Sequence, residues 1–390
     1  MKIAYIVRNY DKCGGISSYV SELARKISII NDVHIFASTI KDSGENIVKH
    51  IVPYLSSSYL KQIKKYSWNV ALEVSSFMVT SKGYVNRDKY DIVHSQGDFS
   101  GQCDIYTAHS CHKAWLNIAH ANSNGFIDKL KKSGLNPLHR LILKSEHYGI
   151  MKSKKIIAIS DGIKKELITN YPSSEKKICV IPNGIDTERF LILNKQKFRK
   201  IVRDTYSLKE TDIIALFPAH EFKRKGLFHI IEALSIIKKN DIYLLVMGRD
   251  NPSSYTKMLK DKGLLKHVIF VGEQQEPEKF YAAADMMVFP TLYEPFGLVI
   301  TEAMASGLPV LVSANAGAAE LIKDEIDGLL IKDRNDIQEI AQKIKWLYEN
   351  KNKSMEIGNK ARKTAEKYSW EVVSNKTLDL YEKVLKEKTK

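Results

Sequence analysis

Short runs of β-branched and aromatic residues alternate with stretches of helical spacing along nearly the whole chain, and that order restricts the fold to parallel sheets wound with helices. KIAYIV (2–7) reads as a first strand, and the stretch from Ile16 to Ile29 that follows NYDKCGG has helical spacing. DVHIFAS, DIVHSQ, DIYTAH, KKIIAIS and ICVIP continue the strands. Turn chemistry is dense at Pro182-Asn183-Gly184, and the polar, basic residues after it mark a domain boundary. A second alternation runs from IIALFPA (213–219) through IYLLVMG, VIFVG, MMVFPT and PVLVS. From Asn335 to Leu385 no strand-like run occurs, so the tail reads as two or three helices, the last starting near Ser369-Trp370-Glu371. Two α/β domains of similar size result. Open sheets of this kind bind ligands beyond the carboxyl ends of their strands, so chemistry is sought just after each strand.

A length of 390 residues agrees with two or three domains, and 27% charged residues argue against wholesale disorder. No apolar run approaches the roughly 20 residues that cross a bilayer, and the start, MKIAYIVRNY, is too short in apolar residues for a signal peptide. A cytoplasmic location is therefore expected. Cys13, Cys103, Cys111 and Cys179 fit neither a disulfide framework nor a zinc motif, so free thiols are expected. Charge is divided unevenly: residues 1–200 carry 31 Lys and Arg against 17 Asp and Glu, whereas residues 201–390 carry 29 against 28. The basic first half suits an anionic membrane face or polyanion, and equally a solvated lysine-rich surface.

Neither a G-x-G-x-x-G after the first strand nor a G-x-x-x-x-G-K-[ST] is present, which removes the main support for a nicotinamide dehydrogenase or a P-loop NTPase. Gly14-Gly15 lies between the first strand and the first helix, where backbone without Cβ can approach a phosphate; a tight turn without ligand would use glycine too. His220-Glu221-Phe222-Lys223-Arg224-Lys225-Gly226 follows strand 213–219 and places three cations before a helix, an arrangement suited to pyrophosphate or to a plain solvated charge run. The densest constellation runs from Tyr293 through Glu294, Pro295, Phe296, Gly297, Leu298 and Glu302 to Pro309. A helix starting near Phe296 would carry Glu302 roughly 9 Å along its axis. Glu294 stays in the preceding loop, so two carboxylates can grip hydroxyl-bearing rings on either side of a diphosphate.

The setting EPFGLVITEAMASGLPV, with glutamates eight residues apart, resembles the E-x7-E signature of retaining GT-B glycosyltransferases, family 4 in particular. PNGIDTERF (182–190), IAISDGIKKELI (157–168), Lys225-Gly226, the early GG and the late YSW (368–370) fall in that family's order. The resemblance touches most of the chain, and the FKRKG arrangement resembles lipopolysaccharide core glucosyltransferases of the family. It implies an α/β GT-B fold: a Rossmann-like acceptor-side domain over 1–185, a Rossmann-like nucleotide-sugar-binding domain over 186–368, a central cleft between them, and a C-terminal helix over 369–390 crossing back to the first domain.

By position, the resemblance assigns Glu302 to the ribose of the donor, Glu294 to the transferred sugar, and Phe296, Gly297 and Leu298 to backbone contacts with sugar and phosphates. It assigns Lys225 to the pyrophosphate, Gly15 to the donor from the first domain, and His109, at the end of DIYTAH, to the reacting sugar. His220 stands where many members have arginine, and Arg224 is expected to supply that guanidinium. Ala316-Gly317-Ala318-Ala319 has one glycine where the family often has two. The implied function is retaining transfer of a hexose-type sugar from a nucleotide diphosphate sugar, UDP-linked, to a glycan or lipid-linked acceptor of the cell envelope. No metal or other cofactor is expected, since no Asp-x-Asp pair is present and cationic side chains can neutralise the leaving diphosphate. Lys61, Lys64 and Lys65, interleaved with Tyr59, Ile63, Tyr66 and Trp68, form a candidate segment for peripheral membrane attachment. An epimerase or phosphorylase of the same fold is the competing enzyme reading; a nucleic-acid-binding protein lacks any supporting motif.

Overall fold

The computed structural model describes residues 1–11, 14–41, 46–55, 66–123, 136–191 and 195–388, without the side chains of 66–71. The chain divides into two units, Met1–Gly184 with Trp370–Lys390, and Ile185–Ser369. Each is a Rossmann-like parallel sheet flanked by helices, the arrangement of GT-B glycosyltransferases.

In the first unit seven strands pair in the order Ile47–Ile51, Asp32–Ala37, Lys2–Ile6, Ile92–Ser95, Ile105–Ala108, Lys155–Ala158, Ile178–Val180. All six pairings are parallel. Strand Lys2–Ile6 lies between an earlier-numbered wing and a later one, so the strand order reverses beside it, where such sheets bind ligands. The first helix, Gly15–Ile27, buries Tyr19, Val20, Leu23, Ala24 and Ile27, the three-and-four spacing of one apolar face. Of these, Val20, Leu23 and Ile27 each contribute about 1.5–3 kcal/mol on burial. Arg25 and Lys26 close its last turn, where the helix dipole favours cations.

The C-terminal helix Trp370–Lys388 belongs to this unit and buries Trp370, Val373, Thr377, Leu380, Tyr381 and Val384 along one face. Its seat is both apolar and hydrogen-bonded. The Tyr381 hydroxyl lies 2.7 Å from that of Tyr5 and 2.7 Å from His94 Nδ1, and His94 Nε2 lies 2.7 Å from Thr107 Oγ1. Burial pushes the His94 imidazole down to about 3, so it stays neutral. Gly184 is needed at the junction because a Cβ there would stand 2.3 Å from the Trp370 ring.

The second unit has six strands in the order Val268–Gly272, Ile242–Met247, Ile213–Pro218, Met286–Phe289, Val310–Ser313, Leu329–Ile331, again all parallel. Every residue of Ile213–Pro218 is buried, as expected of a strand covered on both faces. Strand order reverses between Ile213–Pro218 and Met286–Phe289. Three helices follow the sheet, Ile337–Glu349, Lys351–Glu366 and then Trp370–Lys388 of the first unit.

Among the described residues the structure adds four strands absent from the sequence reading: Asn9–Tyr10 and Thr39–Ile40, which pair as a small parallel sheet, and in the two large sheets the edge strands Ile47–Ile51 and Leu329–Ile331. Ile47–Ile51 carries Lys49 and His50 and is half exposed, and Leu329–Ile331 has three residues, so neither edge strand shows a buried-strand pattern. The segment Tyr59 to Lys65 lies outside the described residues, and so does Cys13. Tyr66 and Trp68 belong to the helix Tyr66–Tyr84. No described helix is long and apolar enough to cross a membrane.

Candidate active site

In the second unit three loops leave the carboxyl ends of adjacent strands and are stitched together by backbone. The loop after Ile213–Pro218 ends in a single helical turn, Phe222–Lys225, then Gly226 at φ +95°. A Cβ on Gly226 would stand 2.1 Å from the Pro290 carbonyl oxygen, so only glycine allows this loop to meet the one after Met286–Phe289. Leu292 N donates to the Arg224 carbonyl at 2.9 Å, and the Arg224 guanidinium donates to the Tyr293 carbonyl. The third loop joins at Glu294, whose carbonyl accepts from Gly317 N at 2.9 Å, and at Phe296, whose carbonyl accepts from Ala318 N at 2.7 Å. Gly317 has no room for a Cβ, which would fall 2.0 Å from the Pro295 carbonyl oxygen.

These loops bring Lys225 and Glu294 into an ion pair, their side chains 8% and 15% exposed. The lysine ammonium also stands 5.4 Å from the Phe289 ring centroid. Burial lowers the lysine pKa, and Glu294 opposes that shift by favouring the charged form. Arg224 is held by Glu221 as well as by Tyr293. The three cations stand before the helix Leu227–Ile237, as the sequence placed them, and the structure adds that they are themselves wound into the single turn Phe222–Lys225.

The helix carrying Glu302 spans Leu298–Ala305, with Gly297 as its N-cap at φ +99°. It starts two residues later than the sequence reading set it, because Gly297 adopts the left-handed conformation. Glu302 thus stands roughly 6 Å, not 9 Å, along the axis from the first helical residue. Phe296 is 2% exposed, so its ring is packed in the interior, and its carbonyl is taken by Ala318 N. Glu302 is partly buried and accepts from the Tyr281 hydroxyl at 2.8 Å; burial raises its pKa. His220 sits apart from the pair, half exposed, accepting from Arg249 N at 3.3 Å and facing Glu273 at 3.9 Å.

In the first unit, Gly15 opens its helix after Gly14 at φ +89°. Gly14 needs glycine for its conformation. Gly15 does not, and a Cβ on it would meet no described atom within 4 Å, so nothing in the chain's own packing calls for glycine there. His109 ends strand Ile105–Ala108, with its Nε2 2.9 Å from Gln96 Oε1 and its ring edge-on to Tyr19 at 4.9 Å. Burial lowers its pKa to about 3, so the ring is a neutral hydrogen-bonding group. Gln96 follows Ile92–Ser95, and its N donates to the Ile6 carbonyl at 3.0 Å, which places the His109 partner beside the strand reversal. Sequence reasoning singled out neither Gln96 nor Tyr281; both sit one contact behind a predicted residue, in segments without a motif.

Two family models match the chain, Glycosyltransferase Family 4 over residues 13–189 and Glycosyl transferases group 1 over residues 198–364. An uncharacterized glycosyltransferase of Methanocaldococcus jannaschii is 27% identical over 316 residues, 80% of each chain. The crystal structure of WaaG, a glycosyltransferase involved in lipopolysaccharide biosynthesis, superposes with a TM-score of 0.79 at 20% identity, covering 97% of this chain and 99% of that one. Anabaena HepE in complex with UDP-glucose gives 0.72 at 17% identity, covering 98% and 100%. With both halves matched in sequence order and only the ends and a short linker outside the matches, the chain belongs to the group 1, family 4 glycosyltransferases.

Proposed function

We propose that the protein transfers a hexose from a UDP-linked sugar to a glycan or lipid-linked acceptor in cell-envelope polysaccharide synthesis, with retention of configuration and without a metal ion. The observation that carries this reading is the enclosed Lys225–Glu294 pair at the strand reversal of the second unit, with Glu302 one short helix away. Within the chain each partner of this ion pair neutralises the other. A bound diphosphate offers Lys225 a competing anion, which frees Glu294 to accept hydrogen bonds from the sugar hydroxyls.

As the bond from the anomeric carbon to the diphosphate breaks, negative charge grows on the leaving oxygens. Lys225, Arg224 and the first amides of helix Leu298–Ala305 are fixed donors for that charge, and fixed donors need no reorganisation during the step. Glu302 holds the ribose hydroxyls. From the first unit, Gly15 is assigned to the donor and the neutral His109 to a hydroxyl of the transferred sugar. No side chain is assigned as a covalent nucleophile: the departing phosphate takes the acceptor proton, and attack comes from the face it leaves. The lipopolysaccharide link of WaaG and the UDP-glucose held by HepE support the envelope and donor assignments. The protein is read as cytoplasmic, with its basic first half resting on an anionic membrane. A screen of nucleotide sugars for turnover tests the reading: release of nucleoside diphosphate supports it, whereas a sugar phosphate product or an epimerised donor would favour phosphorolysis or epimerisation.

A further inference from the structure

Behind Glu302 stands a group of residues that the motif reading did not use. The Tyr281 ring is fully buried on the helix Glu278–Ala283, and its hydroxyl donates to Glu302 Oε2 at 2.8 Å. Phe190 meets that ring edge-on at 5.5 Å. Arg189 spends its guanidinium on Glu278, at 3.1 and 2.9 Å, while its charge also favours the ionised form of Glu302. Arg362 donates to the carbonyls of Phe190, Thr187 and Ala305, tying the loop that holds Arg189 and Phe190 to the end of the Glu302 helix.

We infer that Tyr281 is a positioning residue for the nucleotide: its hydroxyl fixes one carboxylate oxygen of Glu302, leaving the other oxygen to accept from the ribose. This rests on the assignment of Glu302 to the ribose. The charge balance around Glu302 makes one hydrogen bond count. Burial raises the carboxyl pKa, and Glu278 and Asp186 add to the rise; the Tyr281 hydroxyl and Arg189 act against it. Glu278 is itself occupied by Arg189, so among the described residues Tyr281 supplies the only side-chain hydrogen bond to the Glu302 carboxylate. Without the hydroxyl, the carboxyl takes up a proton at higher pH, and a protonated acid is a poorer acceptor for two ribose hydroxyls.

The test is calorimetric titration, from pH 6 to 8.5, of whichever of UDP, GDP and ADP the wild-type protein binds. Proteins compared are wild type, Tyr281→Phe, Phe190→Leu and Glu302→Ala. The terminal phosphate titrates equally in every arm, so the readout is the ratio of variant to wild-type Kd. For Tyr281→Phe that ratio should grow as the pH falls, to about tenfold, the scale of one charge-assisted hydrogen bond. For Phe190→Leu, which disturbs the packing of the ring and keeps the hydroxyl, it should not change with pH. A Tyr281→Phe ratio that is the same at every pH, or the same pH trend in Phe190→Leu, overturns the inference while leaving the ribose assignment standing. Unchanged affinity in Glu302→Ala, or no binding of any of the three nucleotides by wild type, overturns the ribose assignment itself and the inference with it.

Discussion

Replacing Lys225 with methionine keeps the aliphatic stem over Phe289 and removes only the charge, so it separates the chemistry of this site from its packing. Two costs follow. Loss of one fixed donor to a developing anion lowers turnover by about 10²- to 10³-fold, or about 2.7–4 kcal/mol of transition-state stabilisation. Loss of the partner leaves Glu294, with 15% of its side chain exposed, beside an uncharged neighbour. Breaking a fully buried pair costs about 3–5 kcal/mol. Here the carboxylate retains some access to water, so the cost should fall to about 1–3 kcal/mol. At about 2–4 °C per kcal/mol for a unit of this size, Tm should drop by a few degrees to about 10 °C. The double variant Lys225→Met, Glu294→Gln removes the unpaired charge and should recover most of the Tm without recovering turnover. Steady-state kinetics on the accepted nucleotide sugar and a thermal scan of wild type and both variants decide the matter. Turnover of Lys225→Met within twofold of wild type would refute the role of the ammonium in leaving-group stabilisation, and joint recovery of Tm and turnover in the double variant would show that the pair is only structural.

Gly15→Ala should leave Tm unchanged or slightly raised, by up to about 1 kcal/mol of chain entropy, yet lower kcat/KM, because the open space in front of it is assigned to the donor; unchanged kcat/KM would remove that assignment. Gly317→Ala drives a Cβ into the Pro295 carbonyl, so circular dichroism should show a loss of about 1–3 kcal/mol and calorimetry a weaker nucleotide. Acidification should destabilise the protein: His94 and His109 are held near 3, and His112 and His229 near 4. Their folded pKa values lie below the unfolded value of about 6.5, so the unfolded chain binds more protons between these limits and stability falls as pH drops through that window. Tm scans from pH 7.5 to 5 check this, and a flat profile would contradict the buried neutral state of these rings. The basic first half should sediment with phosphatidylglycerol vesicles and not with neutral ones, at low salt only; equal behaviour with both would assign its charge to solubility alone.

The two sheets were legible because parallel strands buried on both faces are written as continuous apolar runs, and IIALFP, IYLLVM and MMVF each coincide with one. Ile47–Ile51 and Leu329–Ile331 were not, since the edge strand is partly solvated and the other is too short for any period to show. At the candidate site the sequence pointed to Lys225 and Glu294, which the fold brings together, but not to the local geometry that does so. The start of the Glu302 helix depends on the left-handed φ of Gly297, and the setting of Lys223, Arg224 and Lys225 depends on one helical turn too short to leave a pattern. Gln96 and Tyr281 act through space on His109 and Glu302, 13 and 21 residues away, a separation that single-chain spacing does not encode.

The proposed reaction is sugar transfer from a nucleotide donor by departure of the diphosphate, with the anomeric configuration kept. It is tested most directly by proton and phosphorus NMR of the slow hydrolysis of the accepted nucleotide sugar without acceptor, read before the free sugar mutarotates. Free nucleoside diphosphate should appear together with a first-formed sugar of the donor's own anomeric configuration, and both signals should vanish in Lys225→Met. A first-formed sugar of inverted configuration would contradict retention, and a sugar phosphate released with nucleoside monophosphate would contradict the transfer chemistry itself.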